Sequence, residues 1–573
     1  MIPVRSRSSA PSIASAALVA GLLASACSPK AAQLAFGGDS RDLRPRPPGA
    51  GQSSPTHPPV LVVAFDGVGR AILYDLLRCG MMPGLARLLG SGEGKAFPHA
   101  YFDERLLSTL PSSTMAAWVT TFTGVGPAQH GVTGNEFFIR EERRFAAPAP
   151  GTFSDSTPVL AIYTDGYLNK LGFSPSVYER MRKEDPDVLI WVAMQHFWAG
   201  TDRLLLTKPT IVAEAFEAFV ANTASKLTTG KDTRDVYEHL DTQVVDVVIG
   251  ALDAKPLPDV LTVYLSGADL YAHIASEGPD VARRAYLTEV VDPQMTRLAR
   301  KLEERQGLLD RFVVVTADHG HTEVLHDDTH ALSASDKHGP AVALERAGFR
   351  VRPFKLDVDA KDDFQAVLAY EGAIAYAYMA DRSSCPNKGD VCDWKKPPRF
   401  EEDVLPVADA FFRSSEEGAP VPELKGTLDM VLTRRPRPYA EDDLPFEVYV
   451  GKGQLVPVER YLEEHPHPTY IDMASRLREL AVGPHGERAG DVLLLAHNGD
   501  RADVAQRYYF AEPYHSWHGS PSREDSEIPL IVARQTATPE TLRALVDHAV
   551  GEHPHQQKVT DLLLSIRRQP RGK

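Results

Sequence analysis

The sequence predicts an α/β fold: a three-layer α/β/α sandwich with a mostly parallel central sheet and an inserted cap subdomain. Short, nearly continuous apolar runs rich in β-branched residues recur along the chain, and amphipathic helical patterns lie between them. Strands that are apolar on both faces and alternate with helices are typical of a parallel sheet that helices cover on both sides. This alternation stops between residues 336 and 490, where β-rich pieces such as "FEVYVGKGQLVPV" indicate the insertion.

Five apolar runs are predicted as strands, at residues 60–65, 260–265, 312–316, 491–500 and 527–533. Side chains that can bind metal ions follow the first three runs: Asp66, then Asp269 and His273, then Asp318 and His319. Ligands of open α/β sheets bind at the carboxyl ends of the strands. The three carboxylates and two histidines therefore predict a site for two divalent ions.

Each of these elements also has an ordinary structural explanation. Asp66, in the run "FDG", is a residue type that is common in turns after strands. Asp269 and His273 are four residues apart, so they also fit a simple contact on one helical face. Adjacent groups such as Asp318 and His319 are costly to bury without partners, so the complete set favours a metal site.

Three hydroxyl residues, Ser112, Ser113 and Thr114, precede a small apolar run in "LSTLPSSTMAAWVTTFTG". Serine and threonine in such a position commonly cap the N-terminus of a helix. A helix N-terminus also favours an anionic group, so a cap and a nucleophile are compatible roles at this place. The three residues alone leave open which hydroxyl would react.

The order and spacing of these motifs resemble the type I phosphodiesterase/nucleotide pyrophosphatase branch of the alkaline phosphatase superfamily, over roughly residues 58 to 550. The resemblance rests on Asp66, Thr114 nine residues before Thr123-Gly124, "GPAQHG" at 126–131, Asp269 with His273, Asp318-His319-Gly320 and His518-Gly519. One departure is Ala116, at a position where the family usually has proline. A second is that "YHSWHGS" contains both His515 and His518, of which the glycine that follows favours His518.

The resemblance implies an alkaline-phosphatase-like fold and a hydrolase of phosphate esters that acts through a covalent phospho-threonine. It implies that Thr114 is the nucleophile and that Asn135 donates a hydrogen bond to a phosphate oxygen. It also implies two divalent ions, which we expect to be Zn²⁺ because histidines join the carboxylates. The implied ligands are Asp66, Thr114, Asp318 and His319 for one ion, and Asp269, His273 and His518 for the other.

The substrate is expected to be a small phosphate ester. No arginine stands beside Thr114 to bind a doubly charged phosphate, so a diester or pyrophosphate bond is favoured over a monoester. A phosphomonoesterase of the same superfamily and a non-catalytic surface-binding lipoprotein remain the alternatives. The net charge of −15 argues against a nucleic-acid-binding surface, because phosphate backbones recruit basic faces.

The N-terminus predicts export. Residues 1–26 read as a signal peptide, with Arg5 and Arg7 before a short apolar run that ends in small residues. Cys27 follows "LASA", which resembles the lipidation site of bacterial lipoproteins, although a plain cleavage site remains the alternative. We expect a periplasmic or cell-envelope protein anchored through Cys27, with residues 27–57 as a flexible tether and no other membrane contact.

The remaining chain divides into three predicted parts: a core at 58–335, the cap at 336–490 and the C-terminal part of the core at 491–573. The stretch 151–258 reads as mixed helix and loop. Within the cap, Cys385 and Cys392 flank a polar turn and predict a disulfide, with a zinc pair as the alternative. Cys79 is expected to be buried. His465, His467, His553 and His555 are expected to be solvated.

Overall fold

The computed structural model describes residues 40–44, 56–91, 96–150, 157–224, 234–254, 256–332, 339–356, 358, 362–436 and 443–571. The predicted signal peptide and Cys27 lie outside these ranges. Among the helices that fall within the ranges, none has the length and apolar character needed to cross a membrane.

An eight-stranded sheet lies at the centre of the main domain. Its strands, in spatial order, are Ser40–Asp42, Arg203–Leu205, Ile190–Ala193, Val260–Leu265, Val60–Phe65, Phe312–Ala317, Leu530–Ala533 and Ala100–Asp103. The five strands from Arg203–Leu205 to Phe312–Ala317 pair in parallel, and the outer three pair antiparallel. The predicted α/β class with a mostly parallel sheet is confirmed.

The sequence pattern explains why this sheet is covered on both sides. Every residue of Val60–Phe65, Val260–Leu265 and Phe312–Ala317 is buried. Successive side chains of a strand point to opposite faces, so burial of all of them requires helices on both faces. The helices of the whole described chain are Arg70–Arg78, Pro83–Leu88, Thr114–Thr123, Pro127–His130, Thr157–Thr164, Tyr167–Leu171, Val177–Glu184, Pro209–Ala224, Arg234–Ala254, Gly267–Ile274, Pro279–Tyr286, Asp292–Glu304, Pro340–Arg346, Leu405–Glu417, Val458–Glu464, Met473–Ala481, Arg523–Ser526, Pro539–Val550 and Lys558–Arg567.

Four strands of the main sheet come from segments in which no strand was predicted, and one of them is the edge strand Ala100–Asp103. The stretch read as mixed helix and loop supplies Ile190–Ala193 and Arg203–Leu205. The segment predicted as a tether supplies the edge strand Ser40–Asp42, which pairs with Arg203–Leu205. These runs are only three or four residues long, which is too short for a period-2 pattern to be recognised.

A second sheet of six antiparallel strands occupies the predicted cap. In spatial order its strands are Ala366–Glu371, Ile374–Met379, Val492–Ala496, Leu428–Arg434, Phe446–Tyr449 and Leu455–Pro457. Val492–Ala496 was predicted to belong to the main domain, and it instead pairs on both sides within this second sheet. The second sheet therefore extends past residue 490, because an apolar run alone does not say which sheet it joins.

The predicted disulfide between Cys385 and Cys392 is confirmed. Both cysteines are buried beside Trp394, in the apolar core of the second sheet. The expectation for Cys79 was wrong, since its thiol is exposed at the C-terminal end of helix Arg70–Arg78. The apolar neighbours Leu76 and Leu77 take the buried face of that helix.

Two of the histidines that were expected to be solvated are not: His467 is half-buried, with 15% of its side chain exposed, and His555 is a buried ion-pair residue with 6% of its side chain exposed. Its Nδ1 lies 2.8 Å from Glu479 and its Nε2 lies 2.8 Å from Asp472. Burial opposes the charged form, but the two carboxylates raise the pKa of His555 to about 9. Asp472 precedes helix Met473–Ala481, so this imidazolium joins the C-terminal segment to that helix.

We expect the substitution His555→Gln to destabilise the protein more at pH 6 than at pH 10. The folded-state pKa is raised above the ordinary value of 6.5, so the contribution is complete below about pH 6.5 and is lost as pH rises through about 9. The rise of the His555 pKa from 6.5 to about 9 corresponds to at most about 3 kcal/mol in the free energy of unfolding. Urea unfolding across this pH range measures the effect, with exposed His553→Gln as control. A loss of stability in His555→Gln that does not change with pH would contradict this prediction.

Candidate active site

The predicted site residues meet at the carboxyl ends of the central parallel strands. Asp66 directly follows Val60–Phe65, and Asp318 directly follows Phe312–Ala317. Asp269 lies in the first turn of helix Gly267–Ile274, just after strand Val260–Leu265. All three carboxylates are buried.

The structure brings Asp66, Asp318 and His319 together, and we call them the first ligand group. His319 Nε2 lies 3.5 Å from Asp66 Oδ1 and 3.5 Å from Asp318 Oδ2. Thr114 Oγ1 lies 3.1 Å from the same nitrogen. Four side chains from three separate parts of the chain therefore direct oxygen and nitrogen atoms at one point.

Asp269, His273 and His518 form the second ligand group, with donor atoms that lie within 4.8 Å of one another. His273 Nε2 is 3.5 Å from Asp269 Oδ2. The two groups adjoin, because the rings of His319 and His518 stack with their centroids 3.6 Å apart. His515, the other candidate for the late histidine, stacks on His326 and belongs to neither group.

Backbone carbonyls orient the three histidines of these groups. Each ring has its Nδ1 at hydrogen-bond distance from a carbonyl oxygen, which assigns the proton to Nδ1. The carbonyl partners are Gly320 for His319 at 2.9 Å, Ser516 for His273 at 2.8 Å and Ser112 for His518 at 2.8 Å. The Nε2 lone pairs are thereby free for a metal ion, as is usual for histidine ligands.

The electrostatics of the first ligand group fit a bound cation. Asp66 Oδ1 and Asp318 Oδ2 are buried and make no hydrogen bond within the described residues. Burial, followed by the neighbouring charges of Asp318 and Asp269, raises the pKa of Asp66. Burial also raises the pKa of Asp318 to about 7. Unpartnered carboxylate oxygens facing imidazole lone pairs are the arrangement that a divalent ion stabilises.

The three hydroxyls before helix Thr114–Thr123 have different surroundings. Ser112 Oγ lies 3.2 Å from the Thr109 carbonyl oxygen and 3.1 Å from the Ser520 carbonyl oxygen, and it donates its one proton to this pair of acceptors. Ser113 occupies the N-cap position, but its side chain makes no capping hydrogen bond. Thr114 is the first residue of the helix, and its hydroxyl faces His319. This geometry favours Thr114 as the reacting hydroxyl.

Asn135 lies beside the helix N-terminus and lines the same cavity as Thr114. Its Oδ1 accepts a hydrogen bond from the Met115 N–H at 2.9 Å, which leaves its Nδ2 as a donor. The Asn135 N–H in turn donates to Glu371 Oε2 at 2.7 Å, and the Glu136 N–H donates to Glu371 Oε1 at 2.7 Å. Glu371 therefore holds Asn135 in place from the end of a second-sheet strand.

Glu371 and His321 were not among the predicted site residues. Glu371 ends strand Ala366–Glu371, in a segment that shows no motif. His321 Nε2 lies 2.7 Å from Asp269 Oδ1, and its Nδ1 lies 3.0 Å from the Ser516 hydroxyl. His321 thus orients a residue of the second ligand group. The sequence offered a signal for His321, because this histidine directly follows the motif Asp318-His319-Gly320.

A cavity of about 150 Å³ opens at the two ligand groups. Part of its lining is polar: Asp66, Thr114, Asn135, Asp269, His273 and His518. Another part is apolar and includes Val212, Phe216, Phe219, Leu240 and Leu270. No lysine or arginine is among the described residues that line it.

Comparisons with known proteins give one matching family and several similar solved structures. A sequence model of the type I phosphodiesterase/nucleotide pyrophosphatase family matches residues 60–388, which is more than half of the chain. A search of curated protein sequences returns no significant match.

The similar solved structures include murine ectonucleotide pyrophosphatase/phosphodiesterase 5, with 13% identity and a TM-score of 0.46. An inactive variant of that protein in complex with AMP has the same identity and TM-score. Phosphonoacetate hydrolase from Sinorhizobium meliloti 1021, in complex with phosphonoformate, has 17% identity and a TM-score of 0.43. Each alignment covers 90% of this chain and 96% of the other.

Proposed function

The chain belongs to the type I phosphodiesterase/nucleotide pyrophosphatase family of phosphoester hydrolases, and we propose that it cleaves phosphodiester or pyrophosphate bonds through a covalent intermediate on Thr114. The observation that carries the proposal is the position of the Thr114 hydroxyl, 3.1 Å from His319 Nε2 at the edge of the first ligand group. The buried, unpartnered oxygens of Asp66 and Asp318 support a bound cation at that point.

We assign two ions to the two ligand groups. Asp66, Asp318, His319 and Thr114 would hold one ion, and Asp269, His273 and His518 would hold the other. We infer Zn²⁺ at both, because imidazole nitrogens contribute to each group and Mg²⁺ prefers shells of oxygen atoms. Bound ions of this kind supply Lewis-acid stabilisation of phosphoryl oxygens and lower the pKa of oxygen nucleophiles.

The residues of the chain then have distinct tasks. Thr114 Oγ gives up its proton and attacks phosphorus, a new oxygen–phosphorus bond forms, and the bond to the leaving group breaks. The leaving group departs as an alcohol that has taken up a proton, or as a phosphate when the substrate is a pyrophosphate. Water later attacks the same phosphorus and returns Thr114 to its free form. Asn135 Nδ2 donates to a non-bridging phosphate oxygen, since its Oδ1 is held by the helix N-terminus. Glu371 and His321 position Asn135 and Asp269 respectively.

The cavity favours a diester over a monoester. A monoester presents a doubly charged phosphate, and none of the described lining residues is a lysine or arginine that could pair with it. The apolar part of the lining, which includes Phe216 and Phe219, would instead accept an uncharged organic group. The second ester substituent of a diester provides such a group.

We therefore expect zinc-loaded protein to cleave bis-nitrophenyl phosphate faster than nitrophenyl phosphate. We expect kcat/KM for the diester to exceed kcat/KM for the monoester by about tenfold or more. The reason is that the monoester phosphate lacks a hydrogen bond to a charged side chain, which costs about 1.5–3 kcal/mol. Parallel assays with both esters at one pH measure the ratio. A clear preference for the monoester would identify the protein as a phosphomonoesterase, and activity on neither ester would favour a binding protein.

We also propose that the mature protein is exported and lipid-anchored through Cys27, on the strength of the N-terminal pattern. Mass spectrometry of the native protein is expected to find lipid-modified Cys27 at its N-terminus, and Cys27→Ala is expected to release the protein from membranes. An unmodified Cys27, or cleavage at another residue, would exclude the anchor.

A further inference from the structure

We propose that the protein binds one more zinc ion, outside the active site, at a cluster of two aspartates and two histidines in the second sheet. This third cluster consists of Asp429, His467, His497 and Asp500. Asp429 lies in strand Leu428–Arg434, and His497 and Asp500 follow strand Val492–Ala496. None of the four residues lines the active-site cavity.

Three residues of the third cluster have donor atoms that converge, and the fourth, His467, contacts one of these atoms. The ligand atoms of Asp429, His497 and Asp500 lie within 4.8 Å of one another. His497 Nδ1 is 2.7 Å from Asp500 Oδ2 and 3.5 Å from Asp429 Oδ1. The same Asp429 oxygen is 3.0 Å from His467 Nε2. The four side chains are 7–15% exposed, so an ion can enter from solvent and then lose most of its water.

Hydrogen bonds outside the cluster orient His467 toward it. His467 Nδ1 lies 2.7 Å from the backbone carbonyl of His465 and donates its proton there. Neutral His467 therefore directs the Nε2 lone pair at a carboxylate oxygen of Asp429. Two acceptors at this distance repel each other, so either a second proton or a metal ion must lie between them.

His497 offers the cluster its Nδ1. This nitrogen lies 2.7 Å from Asp500 Oδ2, and the exposed Arg501 side chain lies against the ring, with its Nε 3.1 Å from Nδ1 and its Nη2 2.9 Å from Nε2. An ion that binds His497 through Nδ1 requires the ring proton on Nε2 and the exposed Arg501 side chain turned outward, and the same ion displaces the second proton of His467 from Nε2 to solvent. Binding is therefore expected to strengthen as pH rises from 6 to 8.

The charge of the third cluster also calls for a cation. Asp429 and Asp500 are two nearly buried carboxylates, with 7% and 8% of their side chains exposed. The permanent cation beside them is Arg501, 3.1 Å from Asp500 and itself 42% exposed. Asp429 has no such guanidinium partner among its described contacts. Two imidazoles with two carboxylates in a four-ligand set match Zn²⁺ better than Ca²⁺ or Mg²⁺.

An ion at the third cluster would stabilise the chain segment next to the loop of His518. Tyr470, three residues after His467, donates its hydroxyl to Asp429 Oδ2 at 2.8 Å. The adjacent Thr469 carbonyl accepts the N–H of Arg523 at 2.8 Å, in the segment that follows His518. The ion thus joins the two second-sheet strands to the segment that contacts the active-site loop.

The test counts zinc in full-length protein that has been stripped with EDTA, reloaded with excess Zn²⁺ and desalted. The double variant His467→Ala/His497→Ala is expected to hold one zinc per chain fewer than the wild-type protein. His465→Ala is the matched control, because this exposed histidine is two residues away and should leave the count unchanged. Equal counts in the wild type and the double variant would refute the proposal.

Two further features keep this test decisive. The measured quantity is the difference in zinc count between the wild type and the double variant, so it does not depend on how many ions the active site holds. The proposed function is tested separately by the activity assays. If the double variant does not fold, anomalous scattering at the zinc edge from crystals of unaltered protein is expected to show a peak between Asp429 and His497. No peak there would refute the proposal.

Discussion

Thr114→Ala is expected to reduce turnover of a phosphodiester by at least about a thousand-fold, since removal of a catalytic nucleophile leaves only binding and electrostatic contributions. The fold should survive, because the Thr114 hydroxyl contacts His319 rather than a capping N–H group of its helix. Steady-state kinetics with bis-nitrophenyl phosphate measure the loss, and circular dichroism with thermal unfolding checks the fold.

The neighbouring hydroxyl provides the control for this experiment. Ser113→Ala changes the same kind of group one residue earlier, at the N-cap, and is expected to keep most of the activity. Rapid quenching of the wild type should trap a phosphorylated peptide that contains Thr114. If Ser113→Ala abolishes activity while Thr114→Ala retains it, the assignment of the nucleophile is wrong by one residue.

Removal of metal ions is expected to abolish hydrolysis of both diesters and monoesters, again by about a thousand-fold or more, because ions that stabilise phosphoryl oxygens contribute several kcal/mol. Dialysis against EDTA followed by addition of single metals tests this. Zn²⁺ is expected to restore more activity than Mg²⁺, because His273, His319 and His518 supply nitrogen ligands.

Two variants distinguish the proposed active-site ions from the proposed ion at the third cluster. Asp269→Asn weakens the second ligand group and is expected to lose activity even in excess zinc. His467→Ala alters the third cluster and is expected to remain active after zinc is restored. Activity that survives thorough chelation in the wild type would show that the ligand groups do not serve catalysis through metal.

The central part of the fold could be predicted because its pattern is local. Val60–Phe65, Val260–Leu265 and Phe312–Ala317 are continuous apolar runs, and each was predicted within one residue. Val492–Ala496 has the same composition, yet it joins the second sheet. Its partners Ile374–Met379 and Leu428–Arg434 are distant in sequence, and apolarity does not identify them.

The same distinction holds at the candidate site. Asp66, Asp269 and Asp318 were predicted because each follows a recognisable strand, and the order of the motifs identified the family before any coordinates did. Glu371 was missed because its role depends on two backbone N–H groups at residues 135 and 136, more than two hundred positions away. His555 was misassigned because its carboxylate partners come from another helix.

The sequence by itself determined the fold class, the family and the residue types at the strand ends, because these follow from local runs and from the order of short motifs. Only the tertiary structure decided which hydroxyl faces His319, which carboxylate holds Asn135 and which histidines gather beside Asp429. The physical reason is that a side chain's charge, proton and partners depend on distances of about 3 Å between segments that the chain brings together only on folding.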